Sequence, residues 1–194
     1  SADVRLAWAE VTVESHVANG MFCDVFCGHV ASDKKVSIAI KLPRERRELL
    51  GSTKLQEAVK DVQTEISVLA QMMPHDNVVR MLGHGVAVPR DVPFVLLSLL
   101  DSTLKAELPG ARESTSVWAR RSAVKRWPID RACRLGVQVA EALDHLHHHA
   151  IPSARVLHRD LKPANLGLTR ASDSHPERIV LLDFGLATVY ELSE

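Results

Sequence analysis

The sequence has few cysteines and no long apolar run. Only three of its 194 residues are cysteine, and they include no Cys-x-x-Cys pair of the kind found in metal sites. An odd number of thiols without such a pair predicts reduced cysteines rather than a disulfide framework. No stretch approaches the roughly 20 apolar residues of a membrane-spanning helix, and no basic segment precedes an apolar one near the first residue. We therefore expect a cytoplasmic protein, with a nuclear location left open, and no membrane partner.

The sequence also lacks a net charge. Its 24 lysines and arginines balance 24 aspartates and glutamates, so no overall field attracts nucleic acid, and a charged ligand has to meet a local site. The most basic stretch, residues 109–128, is bounded by prolines and has only two tryptophans interleaved with its five arginines and lysines. We interpret it as a surface loop rather than a nucleic-acid site, and we expect no nucleic-acid partner.

The first hundred residues carry the patterns of five strands and one helix. Three β-branched or aromatic runs separated by turn residues predict an antiparallel meander: "WAEVTVESHV", "MFCDVFCGHV" and "KKVSIAIKL". An amphipathic helix follows, with Glu65 beside an apolar stripe made of Leu55, Val59, Val62, Ile66 and Leu69. Two further runs, "NVVRMLGHGVAV" and "PFVLLSLL", bring the predicted sheet to about five strands.

The second half favours helices and loops. "STLKAEL" predicts a short helix, and a long helix is expected from Asp130 as N-cap, with one apolar face made of Ala132, Leu135, Val139, Ala142, Leu143 and Leu146. His145, His148 and His149 have a spacing that a metal ion can use on a helix, but we interpret them as solvated side chains.

Four polar residues near the end of the chain match the needs of phosphoryl transfer from ATP. That reaction requires a group at the attacking hydroxyl, a cation near the transferred phosphate, and oxygen ligands for magnesium. Asp160, Lys162 and Asn165 lie in one loop, whereas Asp183 follows the apolar run "RIVLL". We therefore expect Asp183, at the end of a strand, to lie beside the loop that carries the other three residues.

These residues stand in motifs that resemble those of eukaryotic protein kinases. "HRDLKPAN" (158–165) is similar to the catalytic loop of that family, and "DFG" (183–185) to its magnesium-binding motif. The resemblance implies that Asp160 accepts or orients the proton of the substrate hydroxyl and that Lys162 contacts the γ-phosphate. It also implies that Asn165 and Asp183 ligate Mg²⁺. Lysine at position 162 is typical of the serine/threonine branch.

The N-terminal half resembles the same family. "SIAIK" ends in Lys41, and Glu65 precedes "HDNVVRMLG" by ten residues, which implies the ion pair that positions the nucleotide phosphates. "VANGMFCDV" (17–25) is similar to the glycine-rich loop, but Ala18 and Cys23 replace two of its glycines. The resemblance implies that ATP contacts Val17, Gly20, Val25, Ala39, Lys41, Glu65, Leu97 and Leu99. We also expect Cys23 to be an accessible thiol beside the phosphates, with a pKa raised by Asp24.

The implied fold class is α+β, a two-lobe kinase-like architecture. It comprises a five-stranded antiparallel sheet with one long helix in the N-lobe, and the first part of a mainly helical C-lobe. We expect a partial kinase domain over residues 1–194, with the N-lobe at about 8–97, a hinge at 98–101 and an incomplete C-lobe at 102–194.

The implied function is a protein serine/threonine kinase that uses ATP and Mg²⁺. Two alternatives stay open: a non-catalytic, kinase-like scaffold that binds nucleotide, and a small-molecule phosphotransferase. Only the short segment "FGLATVYELSE" follows Asp183, so we expect a frayed end, an incomplete peptide site and a role for a partner chain that covers the C-lobe.

Overall fold

A five-stranded antiparallel sheet forms the first half of the molecule. The computed structural model describes residues 4–20, 22–44, 53–108, 127–172 and 176–192. The strands are β1 (Val11–Asn19), β2 (Cys23–Val30), β3 (Asp33–Pro43), β4 (Met81–Ala87) and β5 (Val92–Ser98), in the order β1-β2-β3-β5-β4. The predicted sheet is confirmed, and its three hairpins are β1–β2, β2–β3 and β4–β5.

Strand β3 is covered on both faces, and the predicted site residue Lys41 lies on the face toward helix α1 (Thr53–Gln71). Ile38, Ile40 and Leu42 belong to a core cluster with Phe94 on one side of the sheet. Alternation along the strand puts Ala39 on the other side, in the main core cluster that helix α1 also joins. Lys41 follows Ala39 by two residues and therefore lies on the same side as that helix.

Helix α1 packs on the sheet with a face rotated slightly from the predicted stripe. Its buried residues are Ala58, Val62, Glu65, Val68 and Leu69. Leu55, Val59 and Ile66, which were predicted to face the core, are only partly buried. The buried face is therefore rotated toward Ala58. Glu65 thereby comes to lie within the buried face rather than beside it.

The described part of the second half contains two further α-helices, α2 (Leu104–Glu107) and α3 (Ile129–His148). Both were predicted, although α3 begins two residues earlier than expected: its N-cap is Pro128, so Asp130 lies in the first turn. Leu135, Ala142 and Leu146 are buried as predicted, but Ala132 is exposed. Most of the basic stretch, residues 109–126, falls outside the described residues. No helix within the described ranges combines the length and apolar character needed to cross a bilayer.

Two small sheets lie in the described part of the second half. Strands β6 (Ser102–Thr103), β8 (Leu166–Thr169) and β9 (Arg178–Leu181) form one of them. In the other, β7 (Ala154–Leu157) pairs antiparallel with β10 (Thr188–Glu191). The expectation of a frayed segment after Asp183 is wrong for Thr188–Glu191, because its backbone is paired along the whole of β7. The backbone N–H of Leu192 donates a 2.8 Å hydrogen bond to the carbonyl of Ser153, which extends this pairing by one residue.

Candidate active site

A buried lysine joins the sheet to helix α1. Lys41 lies opposite Val25 of β2 and Val95 of β5, in the middle of the sheet. Its Nζ donates a 2.6 Å hydrogen bond to Oε2 of Glu65, a residue with no solvent exposure. A carboxylate buried so completely is stable only when it is paired and hydrogen-bonded. Glu65 is therefore held by Lys41 and by the backbone N–H of Phe184, which lies 3.3 Å from its Oε1.

The same lysine reaches the second half of the chain. Lys41 Nζ donates to Oδ1 of Asp183 at 2.7 Å, so one ammonium group bridges two carboxylates. Burial acts to lower the pKa of Lys41, but the charges of Glu65 and Asp183 outweigh it and raise that pKa above the usual range. Burial acts to raise the pKa of Asp183, and the ion pair with Lys41 outweighs it, so that pKa is lowered. Lys41 and Asp183 are therefore charged at neutral pH.

Asp183 has an unusual backbone conformation. Its φ is 64°, in the left-handed region that residues with a side chain rarely adopt. The next residue, Phe184, is fully buried, and its ring packs edge-on against that of His158 at 4.9 Å. His158 is also bonded through Nε2 to the carbonyl of Leu182, at 2.8 Å. These contacts on either side keep the Asp183 carboxylate aimed at Lys41.

Three of the predicted residues form a compact hydrogen-bonded loop. Lys162 Nζ donates to Oδ2 of Asp160 at 2.6 Å. Asn165 Nδ2 donates to the same oxygen at 2.8 Å and to the backbone carbonyl of Asp160 at 3.0 Å. The Asp160 carboxylate is thus oriented by two donors, and its side chain keeps about a quarter of its surface exposed. The Asp160 carboxylate is therefore held in one orientation and is still accessible from solvent.

The backbone brings this loop to Asp183. The N–H of Leu182 donates to the carbonyl of Asn165 at 2.9 Å, which places the loop beside the end of β9. The amide nitrogen of Asn165 is bonded to Asp160, so the amide oxygen Oδ1 points away from Asp160. An amide oxygen and a carboxylate are the hard ligands that Mg²⁺ prefers. Asn165 and Asp183 therefore fit a magnesium site by their donor chemistry.

Four apolar residues of the predicted nucleotide site, Val25, Ala39, Leu97 and Leu99, belong to the main core cluster or pack against it. Ala39 is the register partner of Cys27 on one side and of Leu97 on the other. Ala39 and Leu97 are buried, Val25 and Leu99 are partly buried, and Val17 is half exposed. Leu168 of β8 belongs to the same core cluster and was not singled out from the motifs. Its only sequence signal is its place in the apolar strand after Asn165.

Gly20 and Cys23 close the turn between β1 and β2. The N–H of Gly20 donates to the carbonyl of Cys23 at 2.8 Å, and a Cβ added to Gly20 would lie 3.0 Å from that oxygen. The expectation of an accessible Cys23 thiol is wrong, because this residue is buried in the main core cluster. Burial is the largest influence on its pKa, which is raised to about 11, and Asp24 is not among its causes. Cys23 is thus a packing residue.

Asp61 is a further carboxylate near the site that the motifs did not indicate. It lies one helical turn before Glu65 on α1, and its Cβ is 3.1 Å from the point where a Cβ on Gly185 would stand. Burial raises the pKa of Asp61, and the nearby charge of Asp183 raises it further. Its only sequence signal is the spacing of four residues from Glu65, which puts both on one helical face.

Comparison with known proteins identifies the family of this chain. The sequence profile described as the protein kinase domain matches residues 11–194. The match therefore runs from the first residue of β1 through the candidate site to the last residue of the chain.

Individual relatives are more distant. The provisionally named serine/threonine-protein kinase F31E3.2 of Caenorhabditis elegans is 27% identical over 90% of this chain and 34% of its own length. The serine/threonine-protein kinase DCLK1 of Rattus norvegicus is 29% identical over 67% of the chain and 25% of its own length. The mitogen-activated protein kinase pmk-3 of C. elegans is 32% identical over 63% of the chain and 23% of its own length. The chain thus spans about a third or less of the length of these relatives.

Proposed function

The chain belongs to the protein kinase family, and from that premise we propose that it transfers the γ-phosphate of ATP to a serine or threonine hydroxyl of a protein. The observation that carries the proposal is the bridge made by Lys41, whose ammonium group contacts Glu65 at 2.6 Å and Asp183 at 2.7 Å. A purely structural ion pair needs one carboxylate, whereas the buried Lys41 contacts two, from distant parts of the chain. This arrangement supports a role for Lys41 at the phosphates and for Asp183 at Mg²⁺.

In this proposal, the nucleotide lies between two lobes. The N-lobe comprises residues of about 8–97, the hinge residues 98–101 and the C-lobe residues 102–194. Adenine lies against Ala39, Val17, Val25, Leu97 and Leu99, and the phosphates lie beside Gly20 and Lys41. Apolar side chains at the first set and a buried cation at the second match the two ends of ATP. Asn165 and Asp183 hold Mg²⁺, which neutralises phosphate charge and orients the phosphates when bound.

Asp160 is the proposed catalytic residue at the hydroxyl. Its Oδ2 accepts hydrogen bonds from Lys162 and Asn165, so the carboxylate is held in one orientation before a substrate arrives. In that orientation it accepts or orients the hydroxyl proton during attack. Lys162 lies next to it and balances the charge of the transferred phosphate. The serine/threonine preference is supported by Lys162 itself and by the names of the relatives.

The proposed chemistry is tested by changing Asp160 to Asn. Its amide keeps the shape of the side chain but cannot accept the proton, so phosphate transfer to casein should fall by about a hundredfold or more. Mg-ATP affinity, measured by calorimetry, should change little because Asp160 acts on the hydroxyl. Asp130→Asn on the exposed first turn of α3 is the matched control. Product analysis should find phosphoserine or phosphothreonine; transfer by the Asp160→Asn variant at the parent rate would contradict the role.

A second candidate, a nucleotide-binding scaffold without turnover, is favoured by one observation. Ala18 and Cys23 stand where the family motif has glycines, and glycine lets the backbone approach phosphate oxygens closely. The same experiment separates the two candidates. Mg-ATP binding without any transfer that depends on Asp160 would support the scaffold, whereas transfer that Asp160→Asn abolishes would exclude it.

A further inference from the structure

Arg44 ties the end of strand β3 to the turn between β1 and β2. Its backbone N–H donates to the carbonyl of Phe22 at 2.8 Å. Its guanidinium then makes three contacts with the turn: Nε donates to Oδ1 of Asp24 at 2.7 Å, and Nη2 donates to Oδ1 of Asn19 and to the carbonyl of Gly20, each at 3.0 Å. Asn19 and Asp24 are register partners at the ends of β1 and β2. One side chain therefore holds both arms of the turn.

The contact between Arg44 and Asp24 lies on the face of the sheet opposite Lys41. Asp24 is the register partner of Leu42, whereas its neighbour Val25 is the partner of Lys41. The side chain of Asp24 is only 18% exposed and that of Arg44 only 11%, so water screens their ion pair poorly. Arg44 therefore supports the turn from the face that lies away from the proposed phosphates.

The planar guanidinium suits this position. Its donors form a fixed fork that reaches three acceptors at once, which the single ammonium group of a lysine does not. The turn has Ala18 and Cys23 in place of two glycines of the family motif. Cys23 is packed in the core, so the turn enters β2 along one fixed path, and Arg44 holds its other arm at Asn19.

We propose that Arg44 is a positioning residue of the nucleotide site, which orders the turn over the phosphates. This inference rests on the proposed binding of ATP beside Gly20 and Lys41. It assigns no direct contact between Arg44 and the nucleotide. Its effect is therefore specific for ligands that carry phosphates, and adenosine, which has none, is the discriminating probe.

The test compares Mg-ATP and adenosine binding to the full chain by calorimetry. Arg44→Ala should weaken Mg-ATP binding by about tenfold, because it removes the hydrogen bonds that hold both arms of the turn. The affinity for adenosine should change by less than about twofold. Arg134→Ala, at an exposed position of α3, is the matched control and should leave both affinities at the parent values.

Two further variants separate the ion pair from the rest of the fork. Asp24→Asn keeps the bonds of Arg44 to Asn19 and Gly20, so it should weaken Mg-ATP binding less than Arg44→Ala does. Arg44→Lys keeps the charge but not the fork, so it should bind Mg-ATP with an affinity between those of the parent and Arg44→Ala. It also provides a folded comparison if Arg44→Ala proves unstable in thermal denaturation.

The outcomes are distinct. Equal Mg-ATP affinities of the parent, Arg44→Lys and Arg44→Ala would overturn the inference and leave the proposed function intact. An equal loss of adenosine and Mg-ATP binding would also overturn it, since it would make Arg44 a general structural residue. A parent chain that binds adenosine but gains nothing from the phosphates of Mg-ATP would refute the proposed function, and the inference with it.

Discussion

At the residue scale, Lys41 links stability to the proposed function. Glu65 has no solvent exposure, and the Lys41 ammonium is the cation in contact with it. A buried carboxylate without its partner costs several kcal/mol, because a charge in the interior is poorly solvated. The lysine that the proposal assigns to the phosphates therefore also keeps helix α1 joined to the sheet.

We expect Lys41→Met to weaken Mg-ATP binding and to destabilise the fold. The loss of stability should be about 3 kcal/mol or more, because Glu65 is left buried without its cation. Calorimetry with Mg-ATP and urea denaturation measure the two effects. Lys54→Met at an exposed position of α1 is the control. Unchanged Mg-ATP affinity would show that Lys41 has a structural role only.

Two histidines 70 positions apart form another paired contact. The rings of His75 and His145 stack at 4.7 Å with an angle of 22° between their planes. His145 is buried and bonded through Nε2 to the carbonyl of Met73 at 2.9 Å, so its interpretation as a solvated residue was wrong. The Nδ1 of His75 accepts a hydrogen bond from the backbone N–H of Asn77. The contact holds the segment before β4 against α3.

This contact should make the protein less stable in mild acid. Burial lowers the pKa of His75, and the neighbouring His145 lowers it further, against the opposing charges of Asp76 and Glu141. Since the folded pKa lies below the unfolded value of about 6.5, the unfolded chain binds more protons in the window just below that value. Stability should therefore be complete above about pH 6.5 and decline as the pH falls through the folded pKa.

The measurement is the melting temperature of the parent and of His75→Asn between about pH 7.5 and pH 5. The asparagine keeps an acceptor for the N–H of Asn77 but does not titrate, so its melting temperature should fall less in acid. His148→Asn, at an exposed position, should follow the parent. Parallel curves for the parent and His75→Asn would rule out a contribution from this pair.

At the element scale, Asn77 connects three parts of the chain. It is buried, and its Nδ2 donates to the carbonyl of Ile179 in β9 at 2.8 Å and to Oε1 of Gln138 in α3 at 3.1 Å. The same Gln138 oxygen accepts from the N–H of Ile179 at 2.8 Å. The segment between α1 and β4 is thereby anchored to the second half of the molecule.

Asn77→Ala should lower the free energy of unfolding by about 1–3 kcal/mol, because the buried carbonyl of Ile179 loses a donor. Urea denaturation followed by circular dichroism measures the change. Gln71→Ala is the control, since that exposed side chain bonds only within its own helix, to Ser67, and should cost less than about 0.5 kcal/mol. A similar loss in both variants would mean that the Asn77 bonds add nothing specific.

At the scale of the whole molecule, the candidate site lies where the two halves of the chain meet. Lys41 comes from the sheet and Asp183 from the segment after β9, and their contact is reinforced by backbone pairing between Val79 and Leu181 at 3.0 Å. A ligand that contacts both halves stabilises them together, because it binds only when both are folded.

Mg-ATP should therefore raise the melting temperature of the whole chain. At about a hundred times the dissociation constant the gain is about 2.7 kcal/mol, or about 5–10 °C for a chain of this size. Removal of magnesium with EDTA should reduce the increase. Asp183→Asn should lose the part that depends on magnesium, whereas Asp130→Asn should keep it. An increase that is identical with and without magnesium would contradict the roles of Asn165 and Asp183.

Most elements and the identity of the candidate site residues were accessible from the sequence. Strands β1 to β5, helix α1 and helix α3 follow from alternation and helical spacing, which depend on nearby residues. The motifs around Asp160 and Asp183 pointed to the kinase family, which the profile match shows. Their assignment to ATP and magnesium remains a prediction.

Only the tertiary structure decided what each side chain meets. Cys23 is buried, His145 stacks on His75, and Arg44 holds the turn around Gly20, although nothing in the local sequence distinguishes these residues from exposed ones. The buried face of α1 also depends on how the helix crosses the sheet, which placed Ala58 inward and left Ile66 half covered. Such contacts join positions tens of residues apart. They arise from the packing of whole elements, and periodicity along one element carries no information about its partner.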